Sequence, residues 1–273
     1  MHGENKMNKN LLTKEQLDFY RDTGYIIIKG AITIEEADVY RERIRLHANP
    51  DYAAIMNPDR LEFLVAQSDW MFGGESSLPD KVKYVEFCKE TARLTEFFLK
   101  HPNIVPALEA LQGEEIVGLM TQMLFKEAAS KYAPQAWNPH QDNAYPQSKN
   151  GKYITTNVWL EDADIENGTL YAYPESHKNG IYEFERKISY REVDNRPGNK
   201  ISDEILSTFK KVDLTFKKGD VIVMNGNMIH GSYPNVSKDR NRPFLSCCYI
   251  SKGEDFNPGY NSQKRPIDLK LGA

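Results

Sequence analysis

The chain has 273 residues, of which 35 are basic and 39 acidic, for a formal charge of −4. No basic surface for nucleic acid is implied. Hydrophobic residues make up 40% and aromatics 11%, which suits a chain with a sizeable buried core rather than a disordered one.

In chain order, helices come first. Thr13 with Gln16 and Thr33 with Glu36 are capping boxes, each ahead of a helical segment. Ala37, Tyr40, Ile44 and His47 recur at helical spacing after the second. Between them Tyr25–Ile28 is a short β-branched run ending near Gly30, a strand. Phe87, Thr91, Leu94 and Phe98 predict another helix, and Ile104, Ala107, Leu108 and Leu111 a further one that Gly113 closes. From Ile116 the pattern changes to strands, at 116–125, 135–142, 153–161, 168–173, 212–216, 220–224, 228–231 and 244–251. Turn signals such as Asn150-Gly151, Asn167-Gly168 and Lys218-Gly219-Asp220 separate them.

Eight such strands fit a mainly β fold with flanking α-helices, a jelly roll able to enclose a small molecule. We read a single domain over 1–273: a mainly helical part to about 115, then a jelly-roll core at about 116–251. The polar stretch at about 179–211 reads as a lid insertion over the barrel mouth, helical around Asp203 to Phe209.

The N-terminus has no apolar core of signal-peptide length, and no stretch approaches the roughly 20 apolar residues of a membrane span. Cys88, Cys247 and Cys248 are odd in number and form no C-x-x-C pair, so neither a disulfide framework nor a cysteine zinc site is expected. Reduced thiols in a cytoplasmic protein are the expectation.

The chemistry concentrates at His140-Gln141-Asp142 and His230. Alternation along a strand sends His140 and Asp142 to one face and Gln141 to the other. Two histidines and a carboxylate hold iron(II) on one side and leave the other side free for a co-substrate and oxygen. His230 ends Asn227-Met228-Ile229, again at a strand end. His2, His47 and His101 lie outside the barrel pattern. His177, in Pro174-Glu175-Ser176-His177-Lys178, competes as a ligand, a substrate contact or a turn-stabilising ring bonded to backbone.

These residues resemble the phytanoyl-CoA dioxygenase family of iron(II)- and 2-oxoglutarate-dependent oxygenases. The matching pieces are Phe19-Tyr20-Arg21-Asp22-Thr23-Gly24-Tyr25, Asn138-Pro139-His140-Gln141-Asp142, Asn157-Val158-Trp159-Leu160, Asn167-Gly168-Thr169-Leu170, Pro174–Lys178, Gly219-Asp220 and His230-Gly231-Ser232 with Arg242. They run in family order over about residues 13–251. The resemblance implies a double-stranded β-helix of cupin-like form, with Fe(II), 2-oxoglutarate and O2 as cofactor and co-substrates.

It also implies that an arginine grips the distal carboxylate of 2-oxoglutarate, for which a guanidinium fork is well shaped. Arg242 is the candidate, assisted by Ser232. It lies twelve residues after His230, where the family spacing is about eleven, and this leaves Arg240 as an alternative. Gln122 and Trp159 are candidates for the co-substrate pocket, although Trp159 reads equally well as a core aromatic. Gln141 is expected to make a bond behind the metal. Asn143, Tyr145 and Asn157 are candidate substrate contacts. Related halogenases carry a small residue where this chain has Asp142, so hydroxylation is the implied outcome.

The expected reaction is hydroxylation of a small, polar or anionic metabolite (aminoalkylphosphonate, betaine or amino-acid-like), with release of succinate and CO2. Lys152 and Arg191 in the loops lean the same way. Acyl thioesters and natural-product intermediates are the alternatives within the family. From other classes come a non-catalytic metal-binding jelly roll and a zinc hydrolase using the same ligands. The partner is a small molecule, with no nucleic acid or membrane expected and the oligomeric state open.

Overall fold

Thr13 starts the first helix with a complete capping box: its hydroxyl accepts from Gln16 N (3.3 Å), and the Gln16 side chain accepts from Thr13 N (2.8 Å). The computed structural model describes residues 12–45, 54–56, 96–124, 126–129, 133–134, 136–187, 198–257 and 266–270. Cys88, His2, His47, Arg191 and the helix start at Phe87 lie outside the described residues. Helix α1 (Lys14–Thr23) ends on Gly24, and β1 (Tyr25–Ile28) follows at once. The second box, Thr33 with Glu36, opens α2 (Ile34–Arg45). A short strand, β2 (Ala54–Met56), falls in the part read as helical. Helix α3 (Val105–Gln112) carries a proline in its first turn and stops at Gly113, whose φ is 72°.

All eight core strands expected from the sequence form. They are β3 (Ile116–Leu124), β4 (Trp137–His140), β5 (Tyr153–Trp159) and β6 (Leu170–Tyr173), then β9 (Val212–Asp213), β10 (Val221–Asn225), β11 (Ile229–Ser232) and β12 (Phe244–Ser251). They build two antiparallel sheets, one ordered β1-β10-β5-β12-β3-β2 and the other β4-β11-β6-β9. The first therefore has the expected four jelly-roll strands plus β1 and β2 added at its two edges. Helix residues Tyr20, Ala37, Tyr40, Phe98, Leu99, Ala107 and Leu108 pack on its outer face with Ile154, Val158, Val223, Leu245 and Cys247. Its inner residues Trp159, Ile222, Met224 and Phe244 pack against Leu170 and Ala172 of the second sheet. Cys247 and Cys248 divide between opposite faces of β12, both as free thiols.

The segment read as a lid insertion, 179–211, is described at 179–187 and 198–211. It forms a hairpin, β7 (Phe184–Lys187) with β8 (Gly198–Ile201), and a short helix, α4 (Asp203–Leu206). Its apolar residues Tyr182, Phe184, Ile201, Ile205, Leu206 and Phe209 cover Tyr171, Tyr173 and Ile229. Those three alternate with the inward-facing Leu170, Ala172 and His230, so the described part of the insertion packs on the outer face of the second sheet. Burial of these apolar residues holds the described part against that face.

His177 is the turn-stabilising ring rather than a ligand. Its Nε2 donates to Arg21 O (3.0 Å), clasping the end of α1. Gly24 is obligatory beside it: φ is 87° there, and an added Cβ would lie 2.6 Å from His177 Nδ1. Gly24→Ala is expected to cost about 2 kcal/mol, combining backbone strain with the ring clash. Urea unfolding would show it, and adding His177→Ala should recover only the steric share.

Candidate metal centre

Strand register makes the centre. In the β11–β4 pairing His230 stands opposite His140, with an irregularity just beyond it before Ser232 meets Trp137. The two rings lie 4.6 Å apart between centroids. Strand β4 ends at His140, two residues earlier than expected, and Asp142 opens a 3-10 turn. Gln141 between them remains extended, with φ −114° and ψ 128°. The alternation therefore persists one step past the strand, and Asp142 still projects with His140. Asp142 Oδ1 is 3.5 Å from His140 Nε2, and Oδ2 is 3.7 Å from His230 Nε2. One ligand atom from each residue lies within 4.8 Å of the others.

The Nδ1 side of each ring is turned to backbone. His140 Nδ1 meets Asn138 O at 2.6 Å and His230 Nδ1 meets Met228 O at 3.3 Å. Donation from Nδ1 to a carbonyl leaves the Nε2 lone pair for an ion and fixes the ring plane. Burial disfavours the Asp142 carboxylate, but His230, His140 and the Thr155 hydroxyl outweigh it and hold the carboxyl well below its usual range. Burial lowers His230, with Asp142 opposing in part. A charged carboxylate and a neutral imidazole are the forms that bind metal. A set of two buried imidazole nitrogens and one partly buried carboxylate fits iron(II).

Gln141 points away from the centre, as expected, and ties the insertion to it. Its amide donates to Gly180 O (2.8 Å) and to Asn227 O, while Tyr182 N donates to its Oε1 (2.8 Å). Asn143 is buried, and its amide is taken up by Asn227 Oδ1, Ser148 O and Ser148 N. That holds the loop after the metal motif and leaves the side chain no donor for a substrate. Tyr145 is exposed in the same loop. Lys152 pairs with Glu114.

Along β5 the inward positions are Thr155, Asn157 and Trp159, the last packed in the intersheet core. Trp159 stacks on Phe216 at 4.1 Å and lies under the Arg242 guanidinium at 5.9 Å. Gln122 pairs with Ser246 on β12, whose other neighbour is Asn157; the Gln122 side chain lies outside the described set.

The two arginines separate clearly. Arg240 is part-exposed, in a two-point grip on Asp164 (2.7 and 2.8 Å) with Glu166 at 2.7 Å. Arg242 is 1% exposed and sits 4.5 Å over the Phe244 ring, inside the barrel. Ser232 follows His230 by two positions on the same strand and so shares its face. Lys126 stands at this end of the barrel, where no local pattern marks it. Its ammonium is buried and donates to Ser232 Oγ (2.8 Å) and Tyr233 O (2.6 Å). A lysine just beyond a strand end reads as a solvated residue, so spacing alone could not have found it.

The model of the phytanoyl-CoA dioxygenase family matches residues 20–243. The chain belongs to the phytanoyl-CoA dioxygenase family. Among curated relatives it is 26% identical to rice phytanoyl-CoA dioxygenase 1, over 83% of this chain and 85% of that one. It is 24% identical to the human peroxisomal phytanoyl-CoA dioxygenase, over 90% and 70% respectively. Its fold is similar to EctD from S. alaskensis solved with 2-oxoglutarate and 5-hydroxyectoine (TM-score 0.63, 16% identity, 96% and 86% covered). It is also similar to the epimerase SnoN solved with Fe3+, α-ketoglutarate and nogalamycin RO (TM-score 0.62, 17% identity, 94% and 95% covered). Like other phytanoyl-CoA dioxygenase family members, the protein is an iron- and 2-oxoglutarate-dependent oxygenase. No helix among its described residues is long and apolar enough to cross a membrane.

Asp142→Ala is expected to weaken binding of Fe(II), or of Ni(II) as an inert probe, by a factor on the order of 100 or more. Anaerobic calorimetry would measure it. In the wild type, affinity should hold steady from neutral pH upward and fall as pH drops through the histidine range, since protons then compete for Nε2.

Proposed function

We propose that the protein hydroxylates a small, polar or anionic metabolite bound beside His140, Asp142 and His230. Aminoalkylphosphonates, betaines and amino-acid-like compounds are the classes that fit. The observation that carries this reading is Asn157. It is 3% exposed, faces the barrel interior, and its Oδ1 has no hydrogen-bond partner among the described residues. A buried acceptor left unmatched costs about 1–3 kcal/mol. A ligand bearing an ammonium, amide or hydroxyl donor would relieve it, whereas an alkyl chain would not.

Iron(II) with 2-oxoglutarate and oxygen, when bound, supplies the oxidation that places one oxygen atom in a substrate C–H bond and releases succinate and CO2. His140, Asp142 and His230 would hold the metal and confine the reaction to one side of it. Asp142 would hold the metal with a carboxylate where a small residue would leave room for a halide, which favours hydroxylation. Arg242 and Ser232 would hold the distal carboxylate of 2-oxoglutarate, with Trp159 and Phe244 fixing the guanidinium from behind. Asn157 would orient the substrate, and Tyr145, exposed just past Asp142, would meet it at the entrance. A cytoplasmic setting accords with the free thiols of Cys247 and Cys248.

A second reading, an acyl thioester as substrate, is favoured by the names of the curated relatives, which include phytanoyl-CoA dioxygenases from rice, Arabidopsis and mammals. Succinate release with Fe(II), 2-oxoglutarate and ascorbate, screened over aminoalkylphosphonates, betaines, amino acids and acyl thioesters, separates the two. Stimulation by a polar metabolite with a matching hydroxylated product is the expected outcome. Asn157→Leu should then lower kcat/KM for that substrate by about tenfold or more, with little change in uncoupled succinate release. Turnover with acyl thioesters alone would overturn the polar-substrate reading.

A further inference from the structure

Lys126 is the most unusual charged residue in the described structure. It is 0% exposed, and no carboxylate among the described residues pairs with it. Its two acceptors are neutral, the Ser232 hydroxyl and the Tyr233 carbonyl. Isolating an ammonium in this way is expensive, and burial together with the neighbouring Arg242 guanidinium pushes Lys126 well below the usual lysine value. The protein nevertheless holds the residue there by design of its backbone. Lys126 has φ 34°, a conformation uncommon outside glycine, and Asn235 Nδ2 donates to its carbonyl at 2.7 Å. Asn235 also donates to Arg240 O (2.8 Å), so one amide ties the end of β3 to the loop that delivers Arg242.

We propose that Lys126 is a specificity-determining residue for 2-oxoglutarate, selecting a 2-oxo acid that ends in a second carboxylate. The argument rests on the reading of this barrel as a 2-oxoglutarate site and concerns how its carboxylate end is built. Ser232 Oγ accepts from the ammonium, so a lone pair of the hydroxyl is occupied and its own hydrogen is turned outward as a donor. The hydroxyl therefore becomes a directed donor, and the ammonium keeps a third N–H for the same anion. Lys126 and Arg242 together place two cations at one end of a low-dielectric cavity, where an incoming carboxylate gains more than it would in water. A 2-oxo acid with a methyl group at that end would offer the Lys126 ammonium no anion.

The test compares two ligands on the Ni(II)-loaded protein: 2-oxoglutarate, and 2-oxopentanoate, which has a methyl where 2-oxoglutarate has its second carboxylate. Anaerobic calorimetry gives the ratio of their Kd values, and separately the Kd for Ni(II). In Lys126→Gln, which keeps an N–H donor for Ser232 and Tyr233, the ratio should fall by about tenfold or more, the scale of one charge-assisted hydrogen bond. The Ni(II) affinity should stay within about twofold of wild type, since no metal ligand is touched. Lys126→Arg should recover part of the ratio. Should the glutamine variant not fold, the arginine variant decides, its ratio staying well above that of an Arg242→Gln control. An unchanged ratio in Lys126→Gln, or equal weakening of both ligands, would overturn the proposal and leave Lys126 a packing residue. Failure of the wild type to bind 2-oxoglutarate at all would instead count against the reading of the site.

Discussion

The pairing of β4 with β11 is the constraint on which the centre depends. A hydrogen-bonded ladder brings residues directly opposite each other close enough for their side chains to touch. Here those residues are His140 and His230, ninety positions apart in the chain. A slip of one residue would send one imidazole to the outer face with Ile229 and Tyr171. The extended Gln141 then carries the same alternation past the strand end to Asp142. Three ligands are thereby set by backbone geometry, with the rings held by Asn138 O and Met228 O.

From that pair outward, the barrel is graded along its length. Inward positions of β5 and β12 near the metal are Thr155 and Cys248, then Asn157 and Ser246, then Trp159 and Phe244. Beyond them lie Arg242, Lys126 and Ser232. The metal end is negative and polar, and the far end is positive and walled by aromatic rings. Rings on one side of a guanidinium hold it without competing for its donors. An elongated co-substrate with a chelating end and an anionic end matches this gradient in orientation as well as in charge.

Much of this was legible in the sequence where a local rule sets the outcome. Both capping boxes, the Gly113 stop and all eight core strands followed from patterns a few residues long. The metal set was legible because His-x-Asp at a strand end and a distant histidine at another share a chemical purpose. What could not be read depended on long-range packing. Residues 179–211 look polar on average, yet six apolar side chains at separate positions cover Tyr171 and Tyr173. His177 stayed open between ligand, substrate contact and turn-stabilising ring because its partner, Arg21 O, is 156 positions away. Lys126 looked solvated because the loop that buries it comes more than a hundred residues later. Asn143 stands beside the metal motif in the chain, and its hold on the loop around Ser148 was not legible from that adjacency.

Gln141 has a consequence for how this scaffold can change over time. The described part of the insertion packs outside the barrel, so its sequence can drift without touching any ligand. Its first residues, however, are fastened to the reverse of the metal motif through Gly180 O and Tyr182 N, and Gln141 also holds Asn227 just ahead of His230. Exchanging this segment between relatives would therefore transplant cleanly only if positions 141, 180–182 and 227 moved as one unit. The graft boundary is a hydrogen-bonded joint, and it passes directly behind His140 and Asp142.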